Sequence, residues 1–205
     1  MDSAFFITSF VTLFVIVDPI GLMPLFVALT QGATAAQRRS IALRSCLTAA
    51  LLLTLFAVLG EAVLGFIGIS MPAFRVAGGA LLFLTALDML FERRSKRRED
   101  RTESEEFNDP SVFPMAIPLI AGPGSIATVI LLAGQAPGVE GLALVMGVMA
   151  TVLVCVLVLF LAAGLFERLL GKTGIEVVTR LLGMLLAALS VQFILDGLRD
   201  FGFAG

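Results

Sequence analysis

Residues Val17-Asp18-Pro19-Ile20-Gly21-Leu22-Met23-Pro24 interrupt an apolar run that extends from about 4 to 29. Roughly 17–25 mainly apolar residues suffice to cross a bilayer as a helix, so the run is long enough to span. Its centre nevertheless holds a carboxylate, two prolines and a glycine. Pro19 and Pro24 carry no amide hydrogen, so the carbonyls at positions 15 and 20 lose their helical partners. Gly21 between them can take backbone angles that other residues avoid. Moving outward from this stretch, five more apolar runs follow, at about 41–67, 72–91, 113–134, 141–164 and 176–199. The expected fold class is all-α integral membrane, with six transmembrane helices.

A second interruption falls in the fourth run, at Ile117-Pro118-Leu119-Ile120-Ala121-Gly122-Pro123-Gly124-Ser125. Here Pro118 and Pro123 free the carbonyls at 114 and 119. A freed backbone group in hydrocarbon costs several kcal/mol unless protein, water or solute satisfies it. Two interrupted spans in corresponding places of two halves point to a substrate site in a transporter built from repeats. The repeat is expected at an offset near 105, with Phe74-Arg75-Val76-Ala77-Gly78-Gly79 answering Thr179-Arg180-Leu181-Leu182-Gly183-Met184 and Thr85 answering Ser190. Three spans per half make the two halves opposite in orientation, an inverted 3+3 repeat. The expected organisation is residues 1–91 as the first repeat, 92–112 as a charged loop and 113–205 as the second repeat, within one membrane domain.

Composition agrees with a membrane setting. Of 205 residues 59% are hydrophobic and 15% charged, with a mean hydropathy of +1.04. A soluble domain usually carries about a quarter charged residues. The net charge of −2 gives no basic field for nucleic acid. Histidine is absent, and Cys46 and Cys155 stand alone in apolar runs, so no metal or cofactor is expected. No nucleophile–base pair or carboxylate dyad appears, and Gly122-Pro123-Gly124-Ser125 lacks the lysine of a phosphate-binding loop. An enzyme is therefore not expected. No basic region precedes the first run, so that run is expected to be retained as a span rather than cleaved as a signal.

Short Lys/Arg-rich loops stay in the cytoplasm. With 92–112 inside, the loops expected around Arg38, Arg39 and Arg44 and around Arg168 and Lys172 are inside too. Eleven of the fourteen Lys and Arg then lie on one side, and both termini lie outside.

Asp18 is the central candidate, because an ionisable residue deep in a span costs about 2.5–3.5 kcal/mol on insertion scales and is functional by default. It can bind a cation or ammonium group, carry a proton, or cap the half-helix that starts at Pro19. The half-helix after Pro123 offers free amides suited to an anion. The substrate-binding candidates are Asp18, Pro19, Gly21, Gly122, Pro123, Gly124, Ser125 and Thr128, although the two hydroxyls can equally bond back to their own helix. Gly21, Pro24, Pro118 and Pro123 are the hinge candidates. Glu61, Arg75, Arg180 and Gln192 are candidates for polar support, the arginines either snorkelling to the headgroups or pairing with acids such as Glu61 and Asp196. A negative group facing an anion-binding helix end is complementary to a zwitterion such as an amino acid. A non-transporting membrane scaffold or accessory protein, and a channel, are the competing functions. The partners expected are the lipid bilayer and a small solute, with proton coupling and a homo-oligomer left open.

Asp18-Pro19-Ile20-Gly21 with Pro24, and Ile117 through Thr128, resemble signatures of the MarC family. Arg75 with Gly78-Gly79, and Val191-Gln192-Phe193-Ile194 through Gly197, are also similar to it, and the likeness runs from the first span to the last. The resemblance implies an inner-membrane protein of bacteria or archaea, of the LysE transporter superfamily, related to SnatA-type carriers of glycine and small neutral amino acids. One departure is Leu22, where many members carry Asn, which implies a less polar site here.

Overall fold

The first apolar run divides at the aspartate and proline. In the computed structural model, which describes residues 3–91 and 109–203, helix α1 covers Ser3–Val17 and α2 covers Pro19–Leu29. Asp18 between them is left-handed (φ 55°, ψ 60°), a conformation that costs an L-residue with a side chain energy and that Asp adopts more readily than most. The ladder still carries through: the Asp18 amide donates to the Phe14 carbonyl at 2.9 Å and the Leu22 amide to the Asp18 carbonyl at 3.1 Å. Span one thus runs as a single pass of 26 residues, Ala4–Leu29, through the break at its centre.

Helix α3 covers Ala35–Ile67. It begins before the expected apolar run because Thr34 and Gln37 form a reciprocal cap, Thr34 Oγ1 accepting the Gln37 amide and Gln37 Oε1 accepting the Thr34 amide. Arg38, Arg39 and Arg44 therefore lie on helix rather than in a loop. Gly68 (φ 83°) stops α3, and Ser70 caps helix α4, Met71–Leu90, by accepting the Ala73 amide. Residues 92–108, nearly all of the expected charged loop, lie outside the described residues.

Span four is less helical in its first half than a proline kink requires. Ser111–Ile120 winds in wide turns, with Met115 donating to Pro110 and Ala121 to Ala116 five residues back, and with extended backbone at Phe113 and Ile117. Both extended residues precede a proline, which disfavours the α conformation there. Helix α5, Pro123–Gln135, follows at an angle of 57° to this segment. Helix α6 covers Gly138–Leu161, and α7 covers Ala163–Asp200 with one break at Gly171 (φ 63°, ψ 174°). The segment expected as a loop around Arg168 and Lys172 is helix on either side of that break.

Among the described residues five passes are long and apolar enough to cross a bilayer, and six if the bent pair 111–120 and 123–135 counts as one. The described residues form an all-α, multi-span membrane fold. Leu43, Leu47, Leu51, Leu55 and Leu59 stand exposed at four-residue spacing along α3. Such a stripe would aggregate in water and is at ease against lipid. Span one is the inner element: 61% of its apolar window is buried, against 22% for α3. Around it lies the larger core, where Leu13, Leu22 and Met23 pack with Leu53 of α3 and Val152 and Val156 of α6. A smaller core joins Val15 and Ile16 to Leu82 and Ala86 of α4 and Leu186 and Phe193 of α7.

Helices α4 and α7 form the most extensive pair. Small residues let their backbones approach. A Cβ added at Gly79 would lie 2.8 Å from the Ser190 carbonyl oxygen and 2.7 Å from Ile194 Cγ1. One added at Gly183 would lie 3.3 Å from the Ala86 carbonyl oxygen and 3.5 Å from Leu90 Cγ.

Candidate functional site

Asp18 is 0% exposed. Its Oδ1 accepts the Gly21 amide at 3.1 Å, the N-cap bond of α2, with Pro19 in the first helical position where no amide hydrogen is required. A Cβ on Gly21 would lie 2.8 Å from the Asp18 carboxyl carbon, so the spacing Asp18-Pro19-Ile20-Gly21 reflects the room the carboxylate needs. Pro24 lies within α2 without ending it.

The second break is capped differently. Gly122 precedes α5 in an extended conformation, no side chain caps the helix, and Pro123 again takes the first position. Without a side chain on Gly122, the first amides of α5 are left to carry the positive end of the helix dipole. A Cβ added at Gly124 would lie 3.3 Å from Ile16 Cγ2 and 3.4 Å from Leu82 Cδ2. The start of α5 therefore packs against span one within two residues of Asp18. Ser125 and Thr128 are buried there, and the Thr128 hydroxyl donates to its own helix at Gly124 O, 2.8 Å away. Leu22 is fully buried in the larger core.

The four polar support candidates stand apart from this centre. Glu61 and Arg180 are exposed. Arg75 is ion-paired with Asp200, not with Glu61 or Asp196. Gln192 donates to Asp196 at 2.8 Å within its own helix, rather than across helices. Asp200 lies one turn beyond Asp196, at the end of α7, and carries no sequence signal of its own.

Two clefts flank the buried carboxylate at opposite ends of span one. One of about 390 Å³ is lined by Thr8 and Thr12 of α1, Arg75, Gln135, Gln192 and Asp196, among others. The other, of about 200 Å³, is lined by Phe26 of α2, Arg38 and Arg39 of α3, and Phe160 of α6. Phe26 and Phe160 stack at its floor, ring centroids 4.5 Å apart and nearly parallel. Asp18 lines neither cleft. Sequence spacing gave no signal for the stack, since its two rings are remote in the chain and come together only through helix packing. Among the described residues no three His, Cys, Asp or Glu gather to hold a metal ion.

A family model described as MarC family integral membrane protein matches residues 3–201. The chain belongs to the MarC family. It is 37% identical to a UPF0056 membrane protein of Archaeoglobus fulgidus over 96% of this chain and 93% of that one. It is also 37% identical to the UPF0056 membrane protein YvbG of Bacillus subtilis, over 97% of this chain and 96% of that one. The UPF0056 inner membrane protein YhgN of Escherichia coli K12 is 35% identical over 94% and 95%. No solved structure matches the chain. Membership in this membrane family accords with a non-enzymatic role.

Proposed function

We propose that this MarC family protein is an inner-membrane secondary transporter of a small zwitterionic solute, such as glycine or alanine, working by alternating access. The observation that carries the proposal is the buried Asp18, set at a left-handed break in span one between two clefts, two residues from Ile16, against which the uncapped start of α5 packs. A buried carboxylate in hydrocarbon is expensive to keep and calls for a use. In this mechanism Asp18 takes the ammonium group or a coupled proton, and the amides of Gly122–Ser125 receive the carboxylate. The hinge positions Gly21, Pro24, Pro118 and Pro123 absorb the backbone change as one half rocks against the other, opening first one cleft and then the other to the centre. Kinship with the LysE superfamily and with SnatA-type carriers belongs to this proposal.

An inverted 3+3 repeat underlies it, with residues 1–91 and 113–205 as the halves. Reciprocal contacts support that symmetry. The approach of Gly79 to Ser190 and Ile194 recurs as that of Gly183 to Ala86 and Leu90. The matched positions are all 104 residues apart, as are Asp18-Pro19 and Gly122-Pro123. That register differs by one from the offset read in the sequence. The positive-inside rule supports one orientation, with the cleft that holds Arg38 and Arg39 facing the cytoplasm and the cleft that holds Arg75 and Asp196 facing outward.

The deciding experiment is uptake of labelled glycine and alanine by proteoliposomes holding the wild type, Asp18→Asn or Gly122→Leu. Saturable uptake lost in both variants supports the site. Wild-type uptake that neither change touches removes it. The capping bond from Asp18 to Gly21 and the back-bonded Thr128 favour a second reading, a non-transporting scaffold whose breaks are packing kinks. On that reading no amino acid shifts the melting temperature or the hydrogen exchange near residues 18 and 122.

A further inference from the structure

We infer that the cleft of about 390 Å³ is itself a binding station for a small zwitterion, with Arg75 holding the carboxylate and Asp196 the ammonium group. This rests on the transport proposal, and adds a second site to the buried one. Its volume falls in the range of roughly 300–1,000 Å³ usual for small-molecule sites. The side chain of Arg75 is only 14% exposed, so its charge is largely withdrawn from water and depends on partners. Asp200 binds its Nη1, while its Nε is buried with no acceptor among the described residues. Arg75 also lines the cleft, and a guanidinium is well suited to a carboxylate. Asp196 is the one acid among the residues that line it.

Asp196 is half-buried, and one of its oxygens accepts from Gln192 at 2.8 Å. Its other oxygen is suited to an ammonium group. The wall therefore presents a cation and an anion to one space, along with the polar side chains of Thr8, Gln135 and Gln192. Phe5, Leu189 and Phe193 supply apolar contact. That pattern fits a solute with two opposite charges and a short side chain. A lone anion would leave Asp196 without a cation, and a lone cation would leave Arg75 with Asp200 as its sole counter-charge among the described residues. Thr12 closes the inner end: it is buried, and its hydroxyl is occupied by the Thr8 carbonyl at 2.8 Å.

The test is the stoichiometry of labelled glycine bound at equilibrium to the full-length protein in nanodiscs, with acetate and methylammonium as competitors. Two sites per chain are expected in the wild type, and one in Asp18→Asn. Asp196→Asn and Arg75→Gln should weaken one site at least tenfold, and Arg75→Lys should not restore it. Each singly charged competitor should displace glycine from that site at least tenfold less well than alanine does. Asp196→Asn is the variant least prone to misfold, and monodisperse elution checks each preparation. One site that Asp18→Asn abolishes and Asp196→Asn leaves intact would overturn the cleft station and spare the buried one. One site lost in Asp196→Asn and kept in Asp18→Asn would support the cleft and remove the buried site. No glycine bound by the wild type would overturn both.

Discussion

The Asp18 carboxylate and the missing side chain of Gly21 share one space: Oδ1 accepts the Gly21 amide at 3.1 Å, and a Cβ on Gly21 would sit 2.8 Å from the Asp18 carboxyl carbon. The two residues are therefore predicted to be energetically coupled. Gly21→Ala forces the carboxylate off its cap and should destabilise the protein by about 1–3 kcal/mol, as overpacking does. Asp18→Gly removes the carboxylate and relieves the left-handed backbone, at the loss of the cap. The double variant should then be more stable than the sum of the single effects by about 0.5 kcal/mol or more. A thermal-unfolding cycle in detergent measures this, and strict additivity would rule the coupling out.

The close approach of α4 and α7 predicts unequal costs for three alanines. Gly79→Ala meets the Ser190 carbonyl and the Ile194 backbone, neither of which can turn aside as a side-chain end can. It should destabilise by about 1–3 kcal/mol. Gly183→Ala has more room at the Ala86 carbonyl and should lose less. Gly147, inside α6 with nothing within 4 Å of an added Cβ, should gain about 0.5–1 kcal/mol as alanine through its better helix propensity. Melting temperatures in one detergent order the three, and Gly147→Ala falling below Gly79→Ala would contradict the packing account.

The same helices show what a sequence can and cannot disclose. The break at Asp18-Pro19 and its counterpart at Gly122-Pro123 were legible because proline removes an amide hydrogen wherever the chain is folded. The irregular first half of span four has its own sequence signal, in the prolines that precede Pro118. Pro110, Pro114 and Pro118 recur every four residues, so each clashes with the carbonyl its predecessor in the ladder would present. On the proposed repeat Phe10 and Phe14 take the matching places in span one, and α1 is helical there. Partners across helices were not legible. Arg75 meets Asp200 and not Asp196 because helix rotation and tilt decide which turn faces it, and those come from packing. The Thr34–Gln37 cap carries the sequence pattern of a helix start, which hydropathy alone passes over.

At the far end of the bundle Arg44 donates to Asp109 at 3.0 Å, both side chains well exposed. Ser111, whose amide donates to Asp109 Oδ1 at 3.0 Å, and then the Arg44 guanidinium hold the Asp109 carboxyl below its ordinary 3.8. Because the folded value lies below the unfolded one, the contribution is fully present above the ordinary value and is lost as pH falls through the folded value. For so exposed a pair it should be about 0.2–1 kcal/mol and shrink in salt. The difference in stability between wild type and Asp109→Asn should therefore be constant near neutral pH and vanish at acid pH. A difference that grows on acidification would reverse the sign and refute the assignment.

Burial of Asp18 between two clefts predicts a barrier on both sides of it. In a background with Cys46→Ala and Cys155→Ala, Thr8→Cys and Arg39→Cys line opposite clefts, whereas Asp18→Cys takes a place that is 0% exposed. A membrane-impermeant thiol reagent should label Thr8→Cys only from outside the cell and Arg39→Cys only from the cytoplasmic side. Asp18→Cys should resist it from either side in this conformation. Phe160→Ala takes away one ring of the 4.5 Å stack at the cleft lined by Arg38 and Arg39. Because a ring-sized gap beside span one shortens the barrier only on that side, labelling of Asp18→Cys should then rise from the cytoplasm and not from outside. Equal labelling from both faces would mean a continuous pore and a channel. Labelling of Thr8→Cys from the cytoplasm would invert the orientation that the basic residues set, and with it the direction in which each cleft opens.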